Sequence, residues 1–225
     1  MRDLIKNFIP DLTDEACDKF VAYYHLLIDW NQRINLTAIT EPEEVVKKHF
    51  LDSLAARPFM KSGVHVADIG TGAGFPGIPL LITRPDLKLT LVDSLQKRIT
   101  FLETVLKELG LSAECVHMRA EDFGRLPRFR ASFDCTVTRA VSSLPVLIEL
   151  TVPLLKKGGK SICYKGDAAE ELRLSRNALS KLNADAEVFS VESDYGKRTL
   201  IICTKNAPTP RVYPRKAGTV TKNPL

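Results

Sequence analysis

The sequence predicts an α/β fold: a mostly parallel sheet behind an N-terminal helical extension. Three observations carry this. An apolar strand-like run, Val64–Ile69, breaks directly into glycines and then into a helix-like segment. From residue 64 onward, strand-like and helix-like segments alternate, the pattern of repeated βα units covered on both faces. Two late strand-like runs, 186–191 and 199–203, flank the turn Tyr195-Gly196-Lys197, which implies one antiparallel strand near an edge.

Taken in order, residues 13–30 read as a helix. Thr13 can cap it, Asp14 and Glu15 suit its first turn, and Cys17, Phe20, Val21, Tyr24 and Ile28 share a face. A second helix is expected from Pro42 to about Met60, opened by a capping box of Thr40 and Glu43. Strands are expected at 64–69, 87–92, 113–117, 133–138 and 161–164. Helices are expected at 76–83, 95–109, 145–155 and 167–182. Leu95, Ile99, Leu102, Leu106 and Leu109 give the 95–109 helix its apolar stripe, and Gly110 stops it. The chain therefore divides into an N-terminal helical element (1–62) packed on the domain, a ligand-binding α/β domain (63–205) and a C-terminal tail (206–225).

Composition narrows the function classes. Of 225 residues, 44% are hydrophobic and 26% charged, as in an ordinary globular protein. No apolar stretch is long enough to cross a membrane and no signal-peptide core is present, so a cytoplasmic location is expected. The 5 cysteines are odd in number and lack CxxC spacing, and the 4 histidines show no paired spacing. No metal site is expected, and the cysteines read as small buried hydrophobes. The net charge of +5 lies wholly beyond residue 204, where five basic residues meet no acid. Such a tail attracts polyanions such as nucleic acid. Its prolines are expected to keep it extended, reaching over a phosphate surface away from the glycine loop.

The strongest motif is Asp68-Ile69-Gly70-Thr71-Gly72-Ala73-Gly74-Phe75-Pro76-Gly77. Glycines at a strand-to-helix turn let the backbone turn sharply and approach a ligand off the carboxyl edge of the sheet. Asp68 either pairs with a ligand ammonium or orients the loop. Gly72 to Gly77 also satisfies GxGxxG, and Asp93 stands where an acid hydrogen-bonds a ribose. The register of Asp68-x-Gly-x-Gly-x-Gly fits S-adenosylmethionine better than a dinucleotide, for which little chain remains as a substrate domain. Asp93 is read as a ribose ligand, with an ordinary turn residue as the alternative.

Downstream, Ala120 and Glu121 can border an adenine, although Glu121 equally suits a helix start. Arg139 ends a strand at the ligand edge, where it can meet a cofactor carboxylate, a phosphate or the target base; a surface salt bridge is the alternative. Lys165, after Tyr164, is a phosphate contact or a snorkelling lysine. Trp30 is a core residue or a base-stacking platform, with the core favoured.

Together these segments resemble the RsmG (GidB) family of 16S rRNA guanine-N7 methyltransferases. The pieces that carry the resemblance are Trp30-Asn31-x-x-x-Asn35-Leu36-Thr37, His49-x-x-Asp52-Ser53, the Asp68–Leu80 loop, Asp93-Ser94-Leu95-x-Lys97-Arg98, Arg139-Ala140, Tyr164-Lys165-Gly166 and the ending from Tyr213 to Leu225. Their order and spacing are specific together, and they span nearly the whole chain. The resemblance implies a class I S-adenosylmethionine-dependent methyltransferase fold (Rossmann-like), S-adenosyl-L-methionine as cofactor, and methylation of guanine N7 in 16S ribosomal RNA or the small ribosomal subunit.

The expected cofactor-binding residues are Asp68, Gly70, Gly72, Gly74, Phe75, Asp93, Ser94, Ala120, Glu121 and Arg139. The expected RNA-binding residues are Lys165, Arg211, Arg215, Lys216 and Lys222. Guanine N7 carries a lone pair and no proton, so the reaction needs no general base. Arg139 is the candidate catalytic residue, as an orienting group. The alternatives from other classes are an NAD-dependent oxidoreductase and a non-catalytic RNA-binding ribosome assembly factor.

Overall fold

The computed structural model describes all residues, 1–225. The chain opens with α1 (Arg2–Phe8) and α2 (Asp14–Ile34). Thr13 is extended and its Oγ1 accepts a hydrogen bond from the Ala16 amide at 3.1 Å, so the expected cap forms. Asn35, left-handed at φ 47°, ends α2. The buried stripe is Ala16, Cys17, Phe20, Tyr23 and Leu27, so the helix is turned relative to the expected face. The reason is Tyr23, whose hydroxyl donates to the Ala73 carbonyl inside the glycine loop.

The second helix departs further from expectation. The capping box of Thr40 and Glu43 does not form: the N-cap is Glu41 without a side-chain cap, and the Thr40 carbonyl instead accepts from the Tyr24 hydroxyl. In place of one helix, α3 (Pro42–Val45) runs into a π-helical stretch (Val46–Leu51), then α4 (Asp52–Leu54) and a 3-10 turn (Arg57–Phe59). Single π-helical turns concentrate at functional sites. This one carries Lys48 and His49 immediately before Asp52.

The α/β part follows: β1 (His65–Ile69), α5 (Gly77–Thr83), β2 (Lys88–Asp93), α6 (Gln96–Glu108), β3 (Glu114–His117), α7 (Ala120–Arg125) and β4 (Phe133–Arg139). Then come α8 (Leu144–Thr151), β5 (Leu155–Lys165), α9 (Ala169–Leu174), α10 (Arg176–Leu182), β6 (Ala184–Val191), β7 (Arg198–Lys205) and α11 (Thr219–Lys222). The strands form one seven-stranded sheet in the order β3-β2-β1-β4-β5-β7-β6. All pairs are parallel except those of β7, which runs antiparallel to both neighbours and so inserts next to the edge as expected. The short helices α7 and α11 are not legible in the sequence. The helix expected at 167–182 is broken at Ser175, whose hydroxyl donates to the Glu171 carbonyl.

Alternating residues of the strands feed cores on both faces. Val137, Ile162 and Ile202 join α2, the π-helical stretch, α5 and α6 in the largest cluster. Cys163, Ile201 and Cys203 pack against α8 and α10 on the other face. The N-terminal helices therefore share the main core. Trp30 packs against that core with its ring centroid 5.6 Å from Phe101. Four of the free cysteines are buried and Cys115 is partly so, consistent with their reading as small hydrophobes.

Strand order reverses between β1 and β4, whose carboxyl ends present Ile69 and Arg139 to the same edge. In open α/β sheets ligands bind at that switch point.

Candidate active site and cofactor cradle

The glycine loop is held from behind by Asp68, which is fully buried on β1. Its Oδ2 accepts from the Thr71 hydroxyl at 2.7 Å and the Gly77 amide at 2.9 Å. Its Oδ1 is buried without a partner. Burial pushes this carboxyl up to about 7, against the pull of those two hydrogen bonds. Asp68 lines neither cavity described below, so the geometry favours loop orientation over contact with a ligand. Gly70 takes φ +70°, and a Cβ there would meet Val141 Cγ2 at 2.5 Å. Gly74 takes φ +96°, and a Cβ there would lie 2.6 Å from Ile78 Cγ1 and 2.7 Å from the Tyr23 hydroxyl. Both positions require glycine for conformation and for space.

Two cavities meet over Gly70. One, of about 350 Å³, is walled by Asp93, Ser94, Arg119, Ala120, Glu121 and the end of the C-terminal tail at Thr221. The other, of about 550 Å³, is walled by Gly72, Phe75, His49, Arg139, Lys165 and Tyr195. Gly70, Arg98 and Ala140 line both. The expected cofactor residues thus fall into two groups on either side of one glycine, except Asp68 and Gly74, which support the loop from behind. A still larger hollow of about 690 Å³ lies elsewhere, between Phe8–Asp11 and Val191–Tyr195, away from the glycine loop.

In the smaller cavity, the 3% exposed Asp93 carboxylate accepts from the Gly72 amide at 3.0 Å, the Leu95 amide at 2.9 Å and Arg98 Nη1 at 3.2 Å. A carboxylate offers about four lone-pair sites, so one remains for a ligand hydroxyl, and partly exposed Arg98 can yield another. Glu121 is buried and its Oε1 accepts from the Gly218 amide at 3.3 Å.

Arg139 sits in a network whose other members are not among the expected site residues, although His49 and Asp52 belong to a piece that carries the resemblance. Its Nη1 donates to Asp52 Oδ2 at 2.8 Å and to the Lys48 carbonyl at 3.0 Å. Asp52 also accepts two bonds from Arg198, both at 2.8 Å, and one from the Tyr195 hydroxyl at 3.0 Å. Burial alone would raise the Asp52 carboxyl, but Arg198 and Arg139 outweigh it and hold the group below its usual range. Arg139 Nη2 lies 3.3 Å from His49 Nδ1. A guanidinium only donates, so Nδ1 accepts, and Nε2 carries the proton toward Thr37 Oγ1 at 2.8 Å. His49 also stacks on Phe75, with centroids 4.4 Å apart and planes at 18°. Burial, with the charge of Arg139 behind it, pushes His49 down to about 3. The surface-salt-bridge reading of Arg139 does not hold: its side chain is 10% exposed and Asp52 only 2%. Three of its N–H groups are taken, leaving Nε and one Nη2 hydrogen for a ligand. The available signal is the piece His49-x-x-Asp52-Ser53, which places His49 within the π-helical stretch and Asp52 directly after it. Their partner Arg198 lies 146 residues from Asp52.

The expected RNA contacts divide. Lys165 lines the larger cavity, while its Nζ donates to the Ser142 carbonyl at 2.7 Å and pairs with Glu171 at 2.7 Å. Arg211, Lys216 and Lys222 are exposed and make no ion pair. Arg215 is different: its side chain holds fully buried Glu149 through Nε at 2.9 Å and Nη2 at 2.6 Å. The expectation of an extended tail is corrected. Pro214 and Val220 are buried, and residues 219–222 form α11, because Glu149 and an apolar patch on α8 draw the chain back onto the domain.

No group of three or more His, Cys, Asp or Glu residues is placed to hold a metal ion, and no helix is long and apolar enough to cross a membrane. The donor set does fit S-adenosylmethionine: a lone-pair site on Asp93 for a ribose hydroxyl, an apolar and acidic border at Ala120 and Glu121, and free guanidinium donors on Arg139 for a carboxylate.

Solved structures with the same fold include a methyltransferase from Pyrococcus furiosus (TM-score 0.61, 15% identity, covering 84% of this chain and 99% of that one). An S-adenosylmethionine-dependent O-methyltransferase from Thermotoga maritima is also similar (TM-score 0.57, 17% identity, 80% and 71%). At such identities the likeness establishes the fold alone, that of the class I S-adenosylmethionine-dependent methyltransferases. Sequence relatives go further. A protein of Desulfitobacterium hafniense named ribosomal RNA small subunit methyltransferase G is 51% identical, over 96% of this chain and 92% of its own length. Its namesake in Acetivibrio thermocellus is 46% identical, over 97% and 93%. The family described as rRNA small subunit methyltransferase G, GidB, matches residues 16–201. With its glycine loop, Asp93 and Arg139 in place on a methyltransferase fold, this chain belongs to the GidB family of rRNA small subunit methyltransferases.

Proposed function

We propose that this chain transfers the methyl group of S-adenosylmethionine to N7 of a guanine in 16S ribosomal RNA of the small subunit, in the cytoplasm. The observation that carries this reading is the meeting of two cavities at Gly70, one walled by Asp93 and the other by Arg139. The first suits a nucleoside and the second leaves room for a base beside the reacting group. When bound, the cofactor supplies an electrophilic methyl group on a sulfonium.

The residues of the chain then have positioning to do. Asp93 accepts from ribose hydroxyls, with the Gly72 and Leu95 amides fixing the orientation of its carboxylate. Arg139, braced by Asp52, directs its two remaining donors toward the cofactor carboxylate or the guanine. The two nitrogens of His49 are engaged and its pKa is about 3, so it stays neutral and takes no proton. That suits N7, whose lone pair attacks without losing a proton. Arg211, Lys216 and Lys222 are proposed as phosphate contacts; Arg215 and Lys165 do not join them, because Arg215 is committed to Glu149 and Lys165 to Glu171 and the Ser142 carbonyl.

The test is incubation of the purified chain with small subunits carrying unmodified 16S RNA and isotopically labelled S-adenosylmethionine, followed by mass analysis of the nucleosides. The reading predicts labelled 7-methylguanosine at one position. Label on another atom or another base would contradict it, and no transfer at all would favour an assembly factor.

A further inference from the structure

The tail that charge counting assigns to RNA also borders the smaller cavity beside Gly70. Thr221 lines the cavity that holds Asp93 and Glu121. The Gly218 amide donates to Glu121 Oε1 at 3.3 Å. Val220 is fully buried against Val146 and Leu150, which line the same cavity from α8. Upstream, a Cβ on Gly124 would meet Pro214 at 2.9 Å, and Arg125 donates to the Pro214 carbonyl at 3.3 Å, so the tail also rests on α7 behind Glu121.

One ion pair fixes this arrangement. Glu149 is fully buried on α8, and Arg215 supplies the only cation that pairs with it. Glu149 Oε1 also accepts from the Arg215 amide at 2.8 Å, and Arg215 Nη2 donates onward to the Asn223 carbonyl at 2.8 Å. Arg215 thus joins α8 to the end of the tail. A buried carboxylate without its partner is costly, so the tail can leave only if Glu149 becomes hydrated or protonated.

Resting on the S-adenosylmethionine reading, we propose that residues 213–225 are the closing wall of the nucleoside end of the cofactor cavity, and that Arg215 is a positioning residue that holds this wall in place. The segment faces the cavity at Thr221 and holds the lining residue Glu121 through the Gly218 amide, and Arg215 acts through these two points. Because coupling between two events is reciprocal, a ligand that uses the wall must also hold the tail down. The exposed Lys216 and Lys222 remain free to meet phosphate from the outer side of the same wall.

The test is amide hydrogen exchange on the full chain with and without S-adenosylhomocysteine. Exchange should slow at least threefold in residues 216–223 as well as in the glycine loop. Slowing in the loop with an unchanged tail would overturn the inference and leave the cofactor reading standing. Slowing in neither would overturn both.

Steady-state kinetics of Arg215→Ala supply a second readout. The KM for S-adenosylmethionine should rise about tenfold, with kcat at saturation and the KM for RNA near wild type, and Arg215→Lys should recover part of the loss. A rise in the RNA KM alone would make Arg215 an RNA contact and overturn the proposal.

Discussion

Two of the buried carboxylates that arginines hold in this molecule, Asp52 and Glu149, show what burial alone does not reveal. Asp52, at the centre, is gripped by Arg139 and Arg198 together, and all three side chains are at most 22% exposed. Glu149, on α8, is gripped by Arg215 alone, which is exposed to the same degree as Arg198. The first network braces the arginine that faces the ligand edge of the sheet. The second fastens a terminal segment across a cavity. The chemistry is the same, but the number of cations left behind on breaking it differs.

That difference predicts unequal effects. Asp52→Ala strands two partly buried guanidinium groups and should destabilise the fold by about 3–5 kcal/mol. It should also remove methyl transfer, because Arg139 loses its brace. Urea unfolding and a transfer assay check this, and a loss below about 1 kcal/mol would show that the network relaxes around the change. Glu149→Ala strands one guanidinium instead of two, and Arg215 keeps its bond to the Asn223 carbonyl, so the change should cost about 1–2 kcal/mol. If Glu149→Ala proved the more damaging of the two, the comparison would be reversed.

The reach of sequence reasoning follows the same division. Strands β1, β2 and β4 are legible because their apolar runs are local, and the glycine loop because a strand-to-helix turn over a ligand needs a characteristic string of residues. Arg139 is legible as a strand-end charge, and His49 and Asp52 as a motif, but their meeting is not. Asp52 and Arg198 become neighbours only when the π-helical stretch and the β6–β7 turn meet, and no local spacing encodes that. Net charge misplaces Arg215 because it treats each cation as free. The partner Glu149 lies within an apolar helix where an acid reads as an incidental surface residue. The missing capping box at Thr40 teaches a related lesson. A correct local signal is overridden where Glu41 takes the cap position and the Thr40 carbonyl goes to Tyr24.

The behaviour on titration contrasts two further groups. His49, lowered to about 3 from 6.5, stays neutral in the fold while the unfolded chain takes up its proton. Its contribution to stability is present above pH 6.5 and is lost as pH falls toward 3. Asp68, raised to about 7 from 3.8, does the opposite: the fold holds a proton that the unfolded chain has released, so stability declines as pH rises from 3.8 to 7. Asp68→Asn should therefore gain stability relative to wild type between pH 4.5 and pH 7.5. Urea midpoints at those two values decide it, and a constant difference would show that Asp68 does not titrate in that range.

A smaller effect sharpens the division within the tail. Changing Arg211, Lys216 and Lys222 to Gln should lower the slope of log RNA affinity against log salt by about 0.7–0.9 for each phosphate that is no longer neutralised. Arg215→Gln should leave that slope unchanged. Filter binding across a salt series separates the two, and an equal change in both variants would erase the distinction drawn between Arg215 and its basic neighbours.

If the cavities meeting at Gly70 hold one S-adenosylmethionine, its ribose lies on Asp93. Isothermal titration with S-adenosylhomocysteine tests it directly. One site per chain is expected, with no measurable heat from NAD and an Asp93→Ala variant weaker by about 1.5–3 kcal/mol. Binding of NAD, or an Asp93→Ala variant with wild-type affinity, would contradict it.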